Sequence, residues 1–195
     1  MSRALFPAWR PSADARAVLA TLSQRLQTAR PGGAPFLQLR RPDQWHVTLC
    51  FVGETPGPVV APALLAAFAD AATRIPPHRF TIERLAYWRH SGAVVALPAS
   101  CPALQALCDA SHDAIRRAGV APRERTTRPH LTLAFLDRGL PPQPWVDGVD
   151  CDGDPLAVDR FELLFNPGGR YDALGAWPLT GAALPEPPRQ DALFR

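Results

Sequence analysis

Residues 46–53 read HVTLCFVG and residues 130–136 read HLTLAFL. Each copy runs His, aliphatic, Thr, Leu and continues into an apolar stretch. In extended chain, successive side chains point to opposite faces. His46, Thr48 and Cys50 therefore share one face of the first copy, and Trp45, Val47, Leu49 and Phe51 share the other. In the second copy His130, Thr132 and Ala134 share a face, while Leu131, Leu133 and Phe135 point to the other. The apolar rows must face a core. Two half-buried strands with matching polar faces, 84 positions apart, constrain the chain to two similar lobes related by a pseudo-two-fold axis.

The flanking segments fit that division. Residues 3–9 read as a strand. Helix follows over 11–30, with Ser12 as N-cap and Leu19, Leu22 and Leu26 at helical spacing, stopped by PGG at 31–33. Residues 35–41 read as strand or extended loop, 53–58 as loop, and 59–74 as a second helix ended by IPP. Strands are expected over 79–88 and 93–97 around a Ser91–Gly92 turn. A third helix is expected over 102–118, with Gly119 at its end. A Pro/Gly/Asp-rich connection spans 139–157. Strands at 158–165 and 171–178 then flank the turn NPGGR. The fold class is α+β: two pseudo-symmetric lobes whose antiparallel sheets line a central cleft, with helices outside. Residues 1–180 form one bilobal domain, and 181–195 a polar, Pro-rich tail expected to fray.

Composition narrows the function classes. With 195 residues, 47 % hydrophobic and 20 % charged, the chain is long enough for a sizeable core and ordinary for a soluble protein. No apolar run approaches the roughly 20 residues that cross a bilayer, and the N-terminus lacks a secretory pattern, so the cytoplasm is the expected location. Cys50, Cys101, Cys108 and Cys151 form no zinc-type cluster and read as reduced thiols, Cys101 and Cys108 on one helical face. All 21 basic residues are arginine. The net charge of +3 is too small to indicate nucleic-acid binding unless those arginines cluster.

The paired residue types suit phosphate chemistry. Imidazole, with an unperturbed pKa of roughly 6.5, gives or takes a proton near neutrality. A threonine hydroxyl two residues on can donate to a phosphoryl oxygen. Two such strands side by side put one imidazole on each side of a phosphate, so that one activates water while the other protonates the leaving oxygen, with no metal or cofactor. A single His-x-Thr is most often a half-buried strand with polar residues outside; the second copy carries the functional reading. His78, His90 and His112 lack the context and read as surface or satisfied structural residues.

The pair resembles the two signature motifs of the 2H phosphoesterase superfamily, and most closely its bacterial RNA 2′,3′-cyclic phosphodiesterases, the 2′-5′ RNA ligase family. RALFPAWRPSADARAVLATL is similar to the family's opening strand and helix, WHVTLCFVGE and RPHLTLAFL to its motifs, and FELLFNPGGRYDALGAWPL to its closing hairpin. The resemblance implies His46 as proton donor to the leaving 3′-oxygen, His130 as the base that activates water, and Thr48 and Thr132 as phosphate ligands. The implied partners are RNA or oligonucleotide ends bearing 2′,3′-cyclic phosphate, or small cyclic nucleotides, and the chain is expected to act as a monomer. Family members often carry an arginine shortly after the second motif, where this chain has Ala134 and Phe135, and often a serine where it has Asn166. Arg128 and Arg170 are the candidate replacements for the arginine.

Three alternatives stay open. One is a 2′-5′ RNA ligase or another cyclic-nucleotide phosphoesterase. Another is a nucleotide-binding module of the same fold with little turnover. The third, a metal site on His46 and His130, is disfavoured by hydroxyls standing where further ligands would be needed.

Overall fold

A computed structural model describes residues 3–55 and 57–182. In chain order the elements are β1 (Ala4–Trp9), α1 (Ala13–Ala29), β2 (Gln38–Leu39), a 3₁₀ turn (Pro42–Gln44), β3 (Val47–Thr48), β4 (Cys50–Phe51) and β5 (Gly53–Glu54). Then come α2 (Pro62–Ala72), β6 (His78–Phe80), β7 (Ile82–Trp88), β8 (Ala93–Pro98), α3 (Pro102–Arg117), β9 (Glu124–Arg125) and β10 (Leu131–Phe135). The last are α4 (Pro144–Asp147), β11 (Leu156–Val158), β12 (Arg160–Asn166) and β13 (Asp172–Pro178).

The local signals act where the sequence places them. Ser12 caps α1 by accepting from the Ala15 amide, and Leu19, Leu22 and Leu26 line the buried stripe. Gly92 takes φ +75° in the β7–β8 turn and Gly119 takes φ +77° after α3, conformations that L side chains rarely adopt. The connection over 139–157 contains α4 and leads into β11, which pairs with β6. The strands β2, β5, β9 and β11 are two or three residues long, too short for a periodic signal. The expected tail from 181 lies outside the described residues except Gly181 and Ala182. Gly181 is tied down, its amide donating to the Ile75 carbonyl.

All pairings are antiparallel. One sheet runs β13-β12-β1-β3-β10-β8-β7, with β2 also on β10 and β5 on β1. The two lobes meet at its centre, where β3 pairs β10 through Val47 and Leu131. α1, α2 and α3 pack on one face, their Leu19, Leu26, Phe68, Leu104, Leu107 and Ile115 meeting Trp9, Leu85, Leu131, Leu133 and Phe161. Each such side chain, fully buried, contributes about 1.5–3 kcal/mol. The opposite face carries two smaller apolar patches. Ala4, Phe6, Ala8 and Leu164 with Phe51 and Tyr171 form one. Ala86, Ala93, Val95 and Leu97 with Trp88 and Phe135 form the other.

Those patches correct the expected side-chain alternation. Cys50 and Ala134 lie in the main core, fully buried beside Leu49 and Leu133. Phe51 and Phe135 turn to the opposite face. The cause is an irregularity at the same place in each copy. The first strand breaks at Leu49, between β3 and β4. The second shifts register against β8 between Thr132 and Ala134. An extra residue in one strand reverses the alternation beyond it, so two consecutive residues point to the core and the phenylalanine joins the face of His and Thr.

Candidate functional site

The β3–β10 register assembles the site. With Val47 opposite Leu131 in an antiparallel pair, His46 comes across from Thr132, and Thr48 across from His130. The structure thus brings the four motif residues together on the helix-free face, between the two apolar patches. All four are partly buried. Among the described residues neither threonine hydroxyl has a hydrogen-bond partner, which leaves both free to donate to a ligand.

Each imidazole is held the same way. His46 Nδ1 lies 2.8 Å from the Gln44 carbonyl and His130 Nδ1 lies 3.0 Å from the Arg128 carbonyl. With Nδ1–H donating, Nε2 is the nitrogen turned away from the backbone and able to exchange protons. The same bond holds His78 to the Pro76 carbonyl, away from the site, so it is a property of histidine entering a strand and not itself a functional mark. His78 also departs from expectation, because its buried Nε2 has no partner among the described protein atoms.

Aromatic rings set the walls. The His46 ring packs 5.2 Å from Phe6 and edge-on to Tyr171 at 4.8 Å. The His130 ring lies 4.3 Å from Trp88. Burial in these walls disfavours the charged imidazole. The His46 pKa falls to about 4, chiefly from desolvation, with Arg40, His130 and Arg10 adding positive charge nearby and the Gln44 carbonyl opposing. His130 is also lowered by burial, with its bond to the Arg128 carbonyl opposing. Both imidazoles are therefore neutral in the free protein at neutral pH.

The arginines are distributed differently from expectation. Arg128 is exposed, its guanidinium 5.8 Å from the Trp88 ring centroid. Arg170 is 71 % exposed and lies 3.2 Å from Asp172. Arg40, which the sequence pattern does not single out, stands between the lobes. Its amide donates to the Leu133 carbonyl, Nη2 donates to the Tyr171 hydroxyl at 2.9 Å, and the guanidinium sits 5.6 Å from the Phe135 ring centroid. Tyr171, Phe6 and Trp88 were likewise not legible as site residues, because their contacts depend on which strands the topology makes neighbours. Among the described residues no group of three or more His, Cys, Asp or Glu side chains could hold a metal. The four cysteines are free; Cys101 stands at the N-terminal boundary of α3 and Cys108 is buried on that helix. No helix among the described residues is long and apolar enough to cross a membrane.

Three solved structures share this architecture. TT0787 of Thermus thermophilus is 22 % identical, with 92 % of this chain and 100 % of that one covered and a TM-score of 0.68. A phosphoesterase is 24 % identical, covering 91 % and 99 %, at 0.65. Escherichia coli LigT in complex with 3′-AMP is 23 % identical, covering 92 % and 98 %, at 0.62; the same protein has also been solved with phosphate and with ATP. At these identities the likeness concerns the fold. A comparison with curated proteins found no match. The model of the 2′-5′ RNA ligase superfamily matches residues 11–164, which include both His-x-Thr strands and the helices behind them. The chain belongs to the 2′-5′ RNA ligase superfamily, the 2H phosphoesterases.

Proposed function

We propose that the protein opens 2′,3′-cyclic phosphates at RNA ends to 2′-phosphomonoesters, without a metal, by paired general acid–base catalysis. Water gives a proton to His130 Nε2 as its oxygen bonds to phosphorus. The P–O3′ bond breaks, and O3′ takes a proton from His46 Nε2. Thr48 and Thr132 donate to the non-bridging oxygens, and Arg128 and Arg170 are candidate contacts for phosphates of the adjoining strand.

The observation that carries this reading is the register of Val47 against Leu131, which sets each histidine opposite the other strand's threonine. Supporting it, the free hydroxyls can donate to phosphoryl oxygens, and the two Nε2 atoms turned from the backbone are positioned one to take and one to give a proton. That LigT has been solved with 3′-AMP, ATP and phosphate fits a nucleotide phosphate as the ligand class.

These roles require His46 to arrive protonated, although burial makes it the weaker proton acceptor in the free protein. The substrate's negative charge, brought within a few ångströms, raises both imidazoles and supplies the missing stabilisation. Substrate binding is therefore expected to take up a proton near neutral pH.

The test is hydrolysis of an oligonucleotide with a 2′,3′-cyclic end after exhaustive chelation, with the product isomer resolved by chromatography. The expected result is undiminished formation of the 2′-phosphate. Loss of activity restored by a divalent cation, or a 3′-phosphate product, would overturn the reading.

A further inference from the structure

The charge balance around His46 points to a ligand. Three arginines on neighbouring segments are paired with carboxylates. Arg10 Nη1 lies 3.4 Å from Glu162, Arg41 pairs with Asp43 at 3.1 Å, and Arg170 pairs with Asp172. Arg128 is exposed to water. Arg40 is different: it is partly buried, lies close enough to His46 to depress its proton affinity, and has no carboxylate partner among the described residues. Its contacts are one tyrosine hydroxyl and one aromatic face. A guanidinium has five N–H donors. Partly withdrawing it from water beside the His46 imidazole, with a single side-chain hydrogen bond in return, is costly unless an anion completes the site.

Its position is built rather than incidental. Arg40 follows β2, which pairs with β10 through Leu39–Ala134 and Gln38–Phe135. The register shift in β10 turns the Phe135 ring to the cleft face, and that ring supports the guanidinium from below. Tyr171 reaches the same group from the other lobe. The tip of the β12–β13 hairpin that carries Tyr171 is held in turn by the loop following Arg40, where Arg41 Nη2 and Gln44 Nε2 both donate to the Gly169 carbonyl. One lobe supplies the ring beneath the guanidinium and the other the hydroxyl beside it, so its free N–H edge is fixed between them.

We infer that Arg40 is the anion-binding arginine of the cleft, its guanidinium contacting the non-bridging oxygens of a phosphate held between His46 and His130. This rests on the reading of the cleft as a phosphate site, and it is independent of whether a cyclic phosphate is the physiological substrate. A planar fork suits two oxygens of one phosphoryl group, a geometry that a lysine ammonium does not reproduce.

The probe is inorganic phosphate, whose binding is followed by calorimetry and by the His46 and His130 ring signals in NMR. Arg40→Gln is expected to weaken phosphate binding at least about ten-fold, the usual scale of a charge-assisted contact. It is also expected to raise the His46 pKa of the free protein, because a nearby positive charge has gone. Arg40→Lys should keep His46 depressed yet still weaken binding. Phosphate affinity within two-fold of wild type in a folded Arg40→Gln protein would overturn the inference. If that variant does not fold, the wild-type protein decides the matter: phosphate should protect Arg40 from phenylglyoxal, read by peptide mass spectrometry, while Arg170 reacts unchanged. Equal modification of Arg40 with and without phosphate would overturn it. Normal phosphate binding through Arg40 with no turnover of cyclic nucleotides would instead leave this inference standing and remove the proposed reaction.

Discussion

At the residue scale, burial of the two imidazoles makes pH the sharpest probe. Both free-protein pKa values lie below 6.5, so the bell-shaped kcat/KM profile is expected to peak below pH 6.5. Bound phosphate raises both, so the kcat profile should peak at higher pH; coincident profiles would contradict the electrostatic account. The same shift bears on stability. His46 binds its proton less readily folded than unfolded, so its contribution is complete above about pH 6.5 and is lost as pH falls toward 4. The full difference corresponds to at most about 3 kcal/mol, a ceiling because the ring is partly open to water. His46→Gln should therefore flatten the fall in stability between those pH values, measured by urea titration at each pH. The roles can be separated as well. A substrate with a better leaving group than a ribose 3′-oxygen should partly rescue His46→Ala and leave His130→Ala impaired. Rescue of His130→Ala instead would reverse the assignment.

At the scale of the element, the repeated irregularity, at Leu49 in one copy and between Thr132 and Ala134 in the other, shapes the face that carries the histidines. It turns Phe51 and Phe135 toward the face of the histidines and threonines and sends Cys50 and Ala134 into the core. The strict two-residue alternation in the sequence gives no sign of it, because a bulge leaves composition unchanged and alters only which neighbour each residue meets. Caps and turns were legible for the opposite reason: Ser12, Gly92 and Gly119 act through their own backbone, with no long-range partner needed. Gly92 offers an element-scale test. It has φ +75°, and a Cβ there would run into the Leu136 carbonyl oxygen, while the Leu136 amide donates to the Gly92 carbonyl at 2.8 Å and holds the two segments together. Gly92→Ala should cost at least about 1–3 kcal/mol, measured by denaturant unfolding, whereas Gly33→Ala, with open space around it, should cost less.

At the scale of the whole molecule, the two lobes are joined through a short central pairing, and the histidine-bearing strands are that junction. The repeat of His-x-Thr made the lobes and the pairing of the two histidines readable from sequence, since each strand's pattern is local and the symmetry follows from its duplication. Arg40 was not readable. It precedes its motif by six positions and reaches the site because β2 pairs with β10, a neighbour remote in sequence. Its guanidinium stands over Phe135, in the stretch where the resemblance led one to expect an arginine. The central claim is that the junction is a two-histidine catalytic unit, and turnover of a 2′,3′-cyclic nucleotide by wild type, His46→Ala, His130→Ala and the double variant tests it most directly. Each single substitution is expected to lower kcat on the order of 10²–10⁴-fold, with the double variant well short of the product of the two losses. Wild-type turnover retained by either folded single variant would contradict the account.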